Sequence, residues 1–389
     1  MKNNTSFVFA MMVAAMIAGP TASQAGVGEA AALFPVTIPA KTGGVAGVKF
    51  VGIPVARKAI YEGLVTAQVT ANSTTTTAAN PAFTTIVPDA NFSASVISAI
   101  WGANKVVETS GLGSNTDVPT SDNNYVLEIT SGPMVGLTKS VTAADVGGLT
   151  VQGGFSLNLD VNTKYVLRKD WTLGTLFGSN SADIAAAGVT AGLSSTGDNL
   201  GVIKSDILTL YYATTAGQWR PTRNYDSTKT YQHIRIPLSG GVYVKRNASS
   251  VGTLYLSGIY RPTRLQALLE GPDNSVFAVS TPNFKDVTLT ETGLHRYVRS
   301  STLNSACDEV RVVDTTGVVR SYVNSATGTA YTSFFWNGSS ANAPSWKSTR
   351  GTAAAGSANS VVIPAGSAVL IKKETATPRL VGLDPSYTQ

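Results

Sequence analysis

The sequence predicts a mainly β protein, in which a small antiparallel barrel or curled sheet is followed by two sandwich-like modules that are copies of one another. Three observations predict it. Charged residues make up 13% of the 389, and glycine (37), valine, threonine and serine stand where a helical protein would carry Glu, Lys and Leu. Short runs of period-two alternation recur between turns rich in Gly, Pro, Asn and Asp. Finally, one pattern occurs twice. Trp219-Arg220 leads to Ile236-Pro237-Leu238-Ser239-Gly240, Trp346-Lys347 leads to Ile363-Pro364-Ala365-Gly366, and Trp219 is as far from Trp346 as Ile236 is from Ile363.

Residues 1–25 read as a signal peptide: Lys2 supplies the positive start, residues 7–18 an apolar run, and Ser23-Gln24-Ala25 a small-x-small cleavage site. The apolar run is about a dozen residues, short for a membrane span. The expected mature chain is therefore secreted, at a bacterial cell surface, with no membrane span after cleavage.

Residues 26–170 are expected to form an N-terminal β domain. Phe34, Val36 and Ile38 alternate with Pro35, Thr37 and Pro39, and prolines at outward positions mark an edge or terminal strand. A second piece follows at residues 48–55. Residues 71–81, with four consecutive threonines, read as a low-complexity loop. Residues 91–101 are the best helix, with Asn91 as N-cap and Phe92, Val96, Ile97 and Ile100 on one face. Strands are expected at 105–108, 125–130, 134–142, 149–151 and 164–168, separated by glycine-containing turns.

The first copy is expected over 171–270, with strands at 206–212, at Trp219, over 236–246 and at 254–258. The second copy follows over 271–377, with Gly271-Pro272 at the boundary and strands at 286–289, 308–313, 334–336 and 361–373. Residues 378–389 are left as a C-terminal tail.

These landmarks resemble an uncharacterised family of exported, duplicated-β proteins of Verrucomicrobia-type bacteria. The resemblance rests on the proline-punctuated start at Phe34 to Pro39, the Trp171-Thr172-Leu173-Gly174-Thr175-Leu176-Phe177 element, Tyr211-Tyr212 with Gly217-Gln218-Trp219-Arg220, and Ile363-Pro364-Ala365-Gly366. It spans roughly residues 34–375. The second copy departs from it at Lys347, and residues 307–313 are more charged than their counterparts. The resemblance implies architecture and compartment but no chemistry.

Composition narrows the function classes. Lys and Arg (29) exceed Asp and Glu (23), for a net charge of +6, yet the excess is scattered, so no nucleic-acid partner is expected. The lone Cys307 excludes an intrachain disulfide and reads as a small buried hydrophobe. With only His233 and His295, no catalytic or metal pattern emerges, and neither a cofactor nor a metal is expected. Asp206, Asp308 and Glu309 open strands, where capping or edge charge is their reading. The sequence therefore points to a non-enzymatic structural protein assembling with copies of itself into a surface filament or layer. Its candidate assembly strands carry Phe34, Val36 and Ile38 at one end and Leu380, Val381 and Leu383 at the other, each able to add to a neighbour's open sheet edge. The alternative is an adhesin or carbohydrate-binding module that presents Tyr211, Tyr212, Trp219 and Tyr243 to glycans.

Overall fold

The computed structural model describes residues 31–70, 83–102, 107–109, 118–155, 157–204, 207–260, 264–269, 273–281, 283, 285–301, 306–313, 331–338, 344–348, 357–376 and 379–383. The leader, the threonine loop and the Gly271-Pro272 boundary lie outside these residues. With 45% of the described residues in strands and 11% in helices, the protein is mainly β.

In chain order, β1 (Ala31–Ile38), β2 (Gly47–Gly52) and β3 (Val55–Ala56) come first. Then follow β4 (Tyr61–Leu64), β5 (Phe83–Ile86), α1 (Ala94–Trp101), β6 (Tyr125–Ile129), β7 (Thr138–Asp145), β8 (Gly148–Gln152) and β9 (Lys164–Lys169). The next group is β10 (Trp171–Thr172), α2 (Leu173–Phe177), α3 (Ser181–Ala186), β11 (Asn199–Lys204), β12 (Ile207–Ala213), β13 (Trp219–Pro221), β14 (Arg235–Ile236), β15 (Gly241–Arg246) and β16 (Gly252–Tyr260). The last is β17 (Leu265–Leu269), β18 (Val276–Ser280), β19 (Val287–Thr288), β20 (Glu309–Val313), β21 (Tyr331–Asn337), β22 (Ser345–Ser348), β23 (Val362–Ile363), β24 (Ala368–Lys372) and β25 (Arg379–Leu383).

The duplication extends to the sheets of both modules. One five-stranded sheet runs β13-β12-β11-β15-β2, and its counterpart runs β22-β21-β20-β24-β18 in the same order. The small pairs match as well: β10 with β14 as β19 with β23, and β1 with β16 as β17 with β25. Even the turn after the short strand repeats. Thr172 and Thr175 form a capping box at the start of α2, and Thr288 and Glu291 exchange the same reciprocal hydrogen bonds.

This pairing corrects the expected boundaries. The first module is discontinuous, built from residues 31–56 and 171–260, and the barrel over 57–170 is inserted into it instead of preceding it. The second module begins at β17, expected in the first copy, and ends with β25, expected in a tail. Alternating apolar residues announce which face of a strand is buried, but not which distant strand completes its ladder.

The inserted domain is a curled sheet of order β4-β9-β6-β7-β8-β5, whose two edges meet through a bridge between Val65 and Pro88. Leu127, Ile129, Leu149, Val151, Tyr165 and Leu167 fill it, and α1 closes it with Ile97 and Trp101. That helix starts later than the sequence suggests. Ser93 sits at its N-cap, and Asn91 belongs to the preceding turn, where its N–H donates to Asp89 Oδ1 at 2.8 Å. The expected strand at 105–108 is not formed at Val107 and Glu108, and 105–106 lie outside the described residues. Glu108 instead accepts the Thr120 N–H and hydroxyl. Met134 and Leu137 are buried in a turn, and the strand expected from Met134 begins at Thr138.

The two modules mate through the second faces of their five-stranded sheets, where Val48, Phe50 and Tyr243 of one meet Val276, Ala368 and Leu370 of the other. The ends of this interface are reciprocal. Gly52, closing β2, donates its N–H to Gly366 O at 2.8 Å, and Ser280, closing β18, donates to Ser239 O at 3.0 Å. Gly366 has φ 66°, and a Cβ there would lie 2.3 Å from Phe34 Cε1, so the turn needs glycine both for its backbone and for its approach to the first module's core. The barrel reaches the second module at Gly136, whose carbonyl accepts the Gln266 N–H at 3.1 Å; at φ 87°, a Cβ would lie 1.6 Å from Arg264 O.

Phe50 is 2% exposed and packs edge-on against Tyr243 with ring centroids 5.1 Å apart. Phe50→Ala should therefore cost about 3–5 kcal/mol. Urea unfolding followed by far-UV circular dichroism would measure it, and a loss under 1 kcal/mol would show that the modules do not depend on this contact.

Candidate functional site

The first candidate, β1, is an edge strand, as its prolines suggest. It pairs antiparallel with β16 over its whole length, from Ala31 opposite Ile259 to Ile38 opposite Gly252. Phe34, Val36 and Ile38 are buried in the first module's core, while Leu33, Pro35 and Thr37 face out. Burying each of the three contributes roughly 1.5–3 kcal/mol, a sum comparable to the stability of a whole domain, about 5–15 kcal/mol. β1 therefore completes a core of its own chain instead of standing free.

The C-terminal candidate is corrected in the same way. β25 is a full partner of β17, with Val381 and Leu383 completely buried and Leu380 packed against the barrel core. It belongs to the second module and is not a loose tail, because its alternation is satisfied within its own chain.

The aromatic face is not formed. Tyr211 and Trp219 are buried in the first module's core, whereas Tyr243 is buried at the interface between modules, on the opposite face of the sheet. Tyr212 lies next to Tyr211 on β12 and so points the other way. Trp219 Nε1 donates to Gly178 O at 2.8 Å, which satisfies the indole within the fold. Trp219→Ala should accordingly cost about 3–5 kcal/mol, read as a lowered thermal midpoint.

The strand-opening carboxylates have structural work. Asp308 is fully buried, pairs with Arg379 at 2.7 Å and accepts the Arg299 N–H at 2.9 Å. Its counterpart in the first module is Asp198, which pairs with Arg246 at 2.8 Å and accepts the Thr190 N–H at 2.9 Å. Burial pushes the Asp198 carboxyl up, against the pull of its hydrogen bonds and of Arg246. Glu309 pairs with Arg311, and Asp206 lies outside the described residues. Among the described residues no three His, Cys, Asp or Glu side chains converge to hold a metal ion, and no helix is long and apolar enough to cross a membrane.

Cys307 is 1% exposed. Burial first, then the charges of Glu309, Asp308 and Glu374, push its thiol up to about 12. It should resist a thiol reagent at pH 8 in the native protein and react fully in urea; fast native labelling would show that the segment leading into β20 opens.

No feature of the sequence announced the polar seam between barrel and first module. There His233 Nδ1 meets Asp122 Oδ1 at 2.8 Å, Arg235 Nε donates to Asp170 at 3.1 Å, and Arg168 pairs with Glu128 at 2.8 Å. Arg168 also donates to Arg57 O at 2.7 Å, and Trp171 Nε1 to Val55 O at 2.9 Å. Partners in this seam lie tens to more than a hundred residues apart, and no local motif links them.

These features define a β protein of two mated modules with an inserted barrel. Comparison with protein-family models, curated proteins and solved structures finds no match, so the resemblance seen in the sequence rests on its motifs alone.

Proposed function

We propose that this chain is a non-enzymatic structural subunit, exported to the bacterial surface, which assembles with copies of itself by exchanging β1. The observation that carries the reading is a strand near the chain start, on a sheet edge, that completes a core with three buried side chains. Exchange between copies replaces each contact with an identical one, so only the connection over 39–46 has to open. That connection is held by few main-chain bonds: Thr42 and Val45 bond each other, and Lys41 N–H donates to Ala248 O at 2.8 Å. Donation in one direction from each copy to the next does not close, and a chain of subunits grows. The apolar leader at residues 1–25 and the low charge density support an exported protein that packs against itself.

The test mixes two variants, Thr37→Cys and Thr253→Cys, which place thiols at facing positions of β1 and β16. If β1 is exchanged, oxidation of the mixture joins one chain of each variant into a covalent dimer on non-reducing gels. Fibres seen by electron microscopy without such cross-links, or chains that stay monomeric, would sink the proposal.

A further inference from the structure

The chain crosses between the first module and the inserted barrel twice, and each crossing carries a cation. Arg57 follows β3 on the way out, and Lys169 ends β9 on the way back. They are electrostatic neighbours: burial, and then the charge of Arg57, hold the Lys169 ammonium below the usual lysine range, against the pull of Asp122. The nearby carboxylates are already engaged. Asp122 meets His233 and accepts from the Thr172 hydroxyl at 3.4 Å, while Asp170 pairs with Arg235.

Neither crossing cation makes an ion pair among the described residues. Arg57 lies over the Trp171 ring, 5.9 Å from its centroid, and its Nη1 is buried with no hydrogen-bond partner. Lys169 Nζ reaches only Asn123 Oδ1, at 3.5 Å, and the face of Tyr125, 5.6 Å from its centroid. Four cations here (Arg57, Arg168, Lys169, Arg235) face three carboxylates (Asp122, Glu128, Asp170). Nearby, Arg235 Nη1 is also unsatisfied, as are both Nδ2 and Oδ1 of Asn124, a fully buried residue whose main-chain carbonyl accepts the Asp170 N–H at 3.0 Å. Buried donors left unpaired are costly, and adjacent like charges add to that cost.

We propose that the seam between barrel and first module is an oxyanion site, at which a phosphate or sulfate group binds between Arg57 and Lys169. The planar guanidinium fork and the ammonium are the donor types that such a group takes. Bound there, it would tie the outgoing and returning crossings together and fix the barrel on its module. The ligand can be a free ion or a phosphate ester, and the chemistry of recognition is shared.

Thermal unfolding of the mature chain would be measured with inorganic phosphate and, separately, with glycerol 3-phosphate, each against sodium chloride at equal ionic strength. Both reagents, or one of them, should raise the midpoint, and the stronger response identifies the free or the esterified source. Arg57→Gln and Lys169→Gln should each raise the phosphate concentration needed for a given midpoint shift about tenfold to a hundredfold, as expected for a lost charged hydrogen bond. The two changes lie on different crossings, and circular dichroism establishes which variants are folded. Broadening of the phosphate 31P resonance by the unaltered protein gives a readout that needs no variant. No midpoint shift with either reagent and no broadening, or folded variants that respond like the parent, would overturn the site.

Discussion

The fold depends on the reciprocal mating of the two modules. Each contributes the turn after its Ile-Pro landmark, and the carbonyl in that turn receives an N–H from the last residue of the partner's edge strand, Gly52 to Gly366 and Ser280 to Ser239. Those bonds satisfy groups that the ends of β2 and β18 would otherwise leave open. Between them the apolar residues of both sheets close a shared core around Phe50 and Tyr243. Neither module could expose that face to water cheaply, so the pair behaves as a dimer fused into one chain.

The inserted barrel is joined by different physics. Its contact with the first module is ionic and polar, through Asp122 with His233, Asp170 with Arg235, and Val126 as an apolar contribution from the barrel. Its contact with the second module is a close main-chain approach at Gly136 with Leu268 and Leu380 packed beside it. Interfaces of this polar kind resemble those between separate proteins more than they resemble a core. The barrel is therefore positioned by charge and hydrogen bonds, whereas the modules are positioned by apolar burial.

The two copies have kept their frame and changed its fittings. The buried aspartate at the head of the central strand persists as Asp198 and Asp308, but its cation comes from β15 as Arg246 in one and from β25 as Arg379 in the other. In the second copy Lys373 follows the equivalent strand β24, is fully buried, and turns to the Leu269 carbonyl at 3.1 Å. A buried carboxylate needs a cation and donors, and where the cation is anchored is open to drift.

By itself, the sequence determined that the protein is β, that Trp219 and Trp346 are landmarks of one repeated module, and that Phe34, Val36 and Ile38 form the buried side of an edge strand. Each follows from local pattern: alternation, proline placement and spacing. Tertiary structure alone decided the partners. Main-chain ladders join residues more than a hundred positions apart, so the sequence could not place β1 beside β16, β25 beside β17, or the barrel inside the first module. For the same reason four nearby aromatics looked like one surface. Adjacent strand residues point to opposite faces, both faces of this sheet are covered, and three of the four are buried.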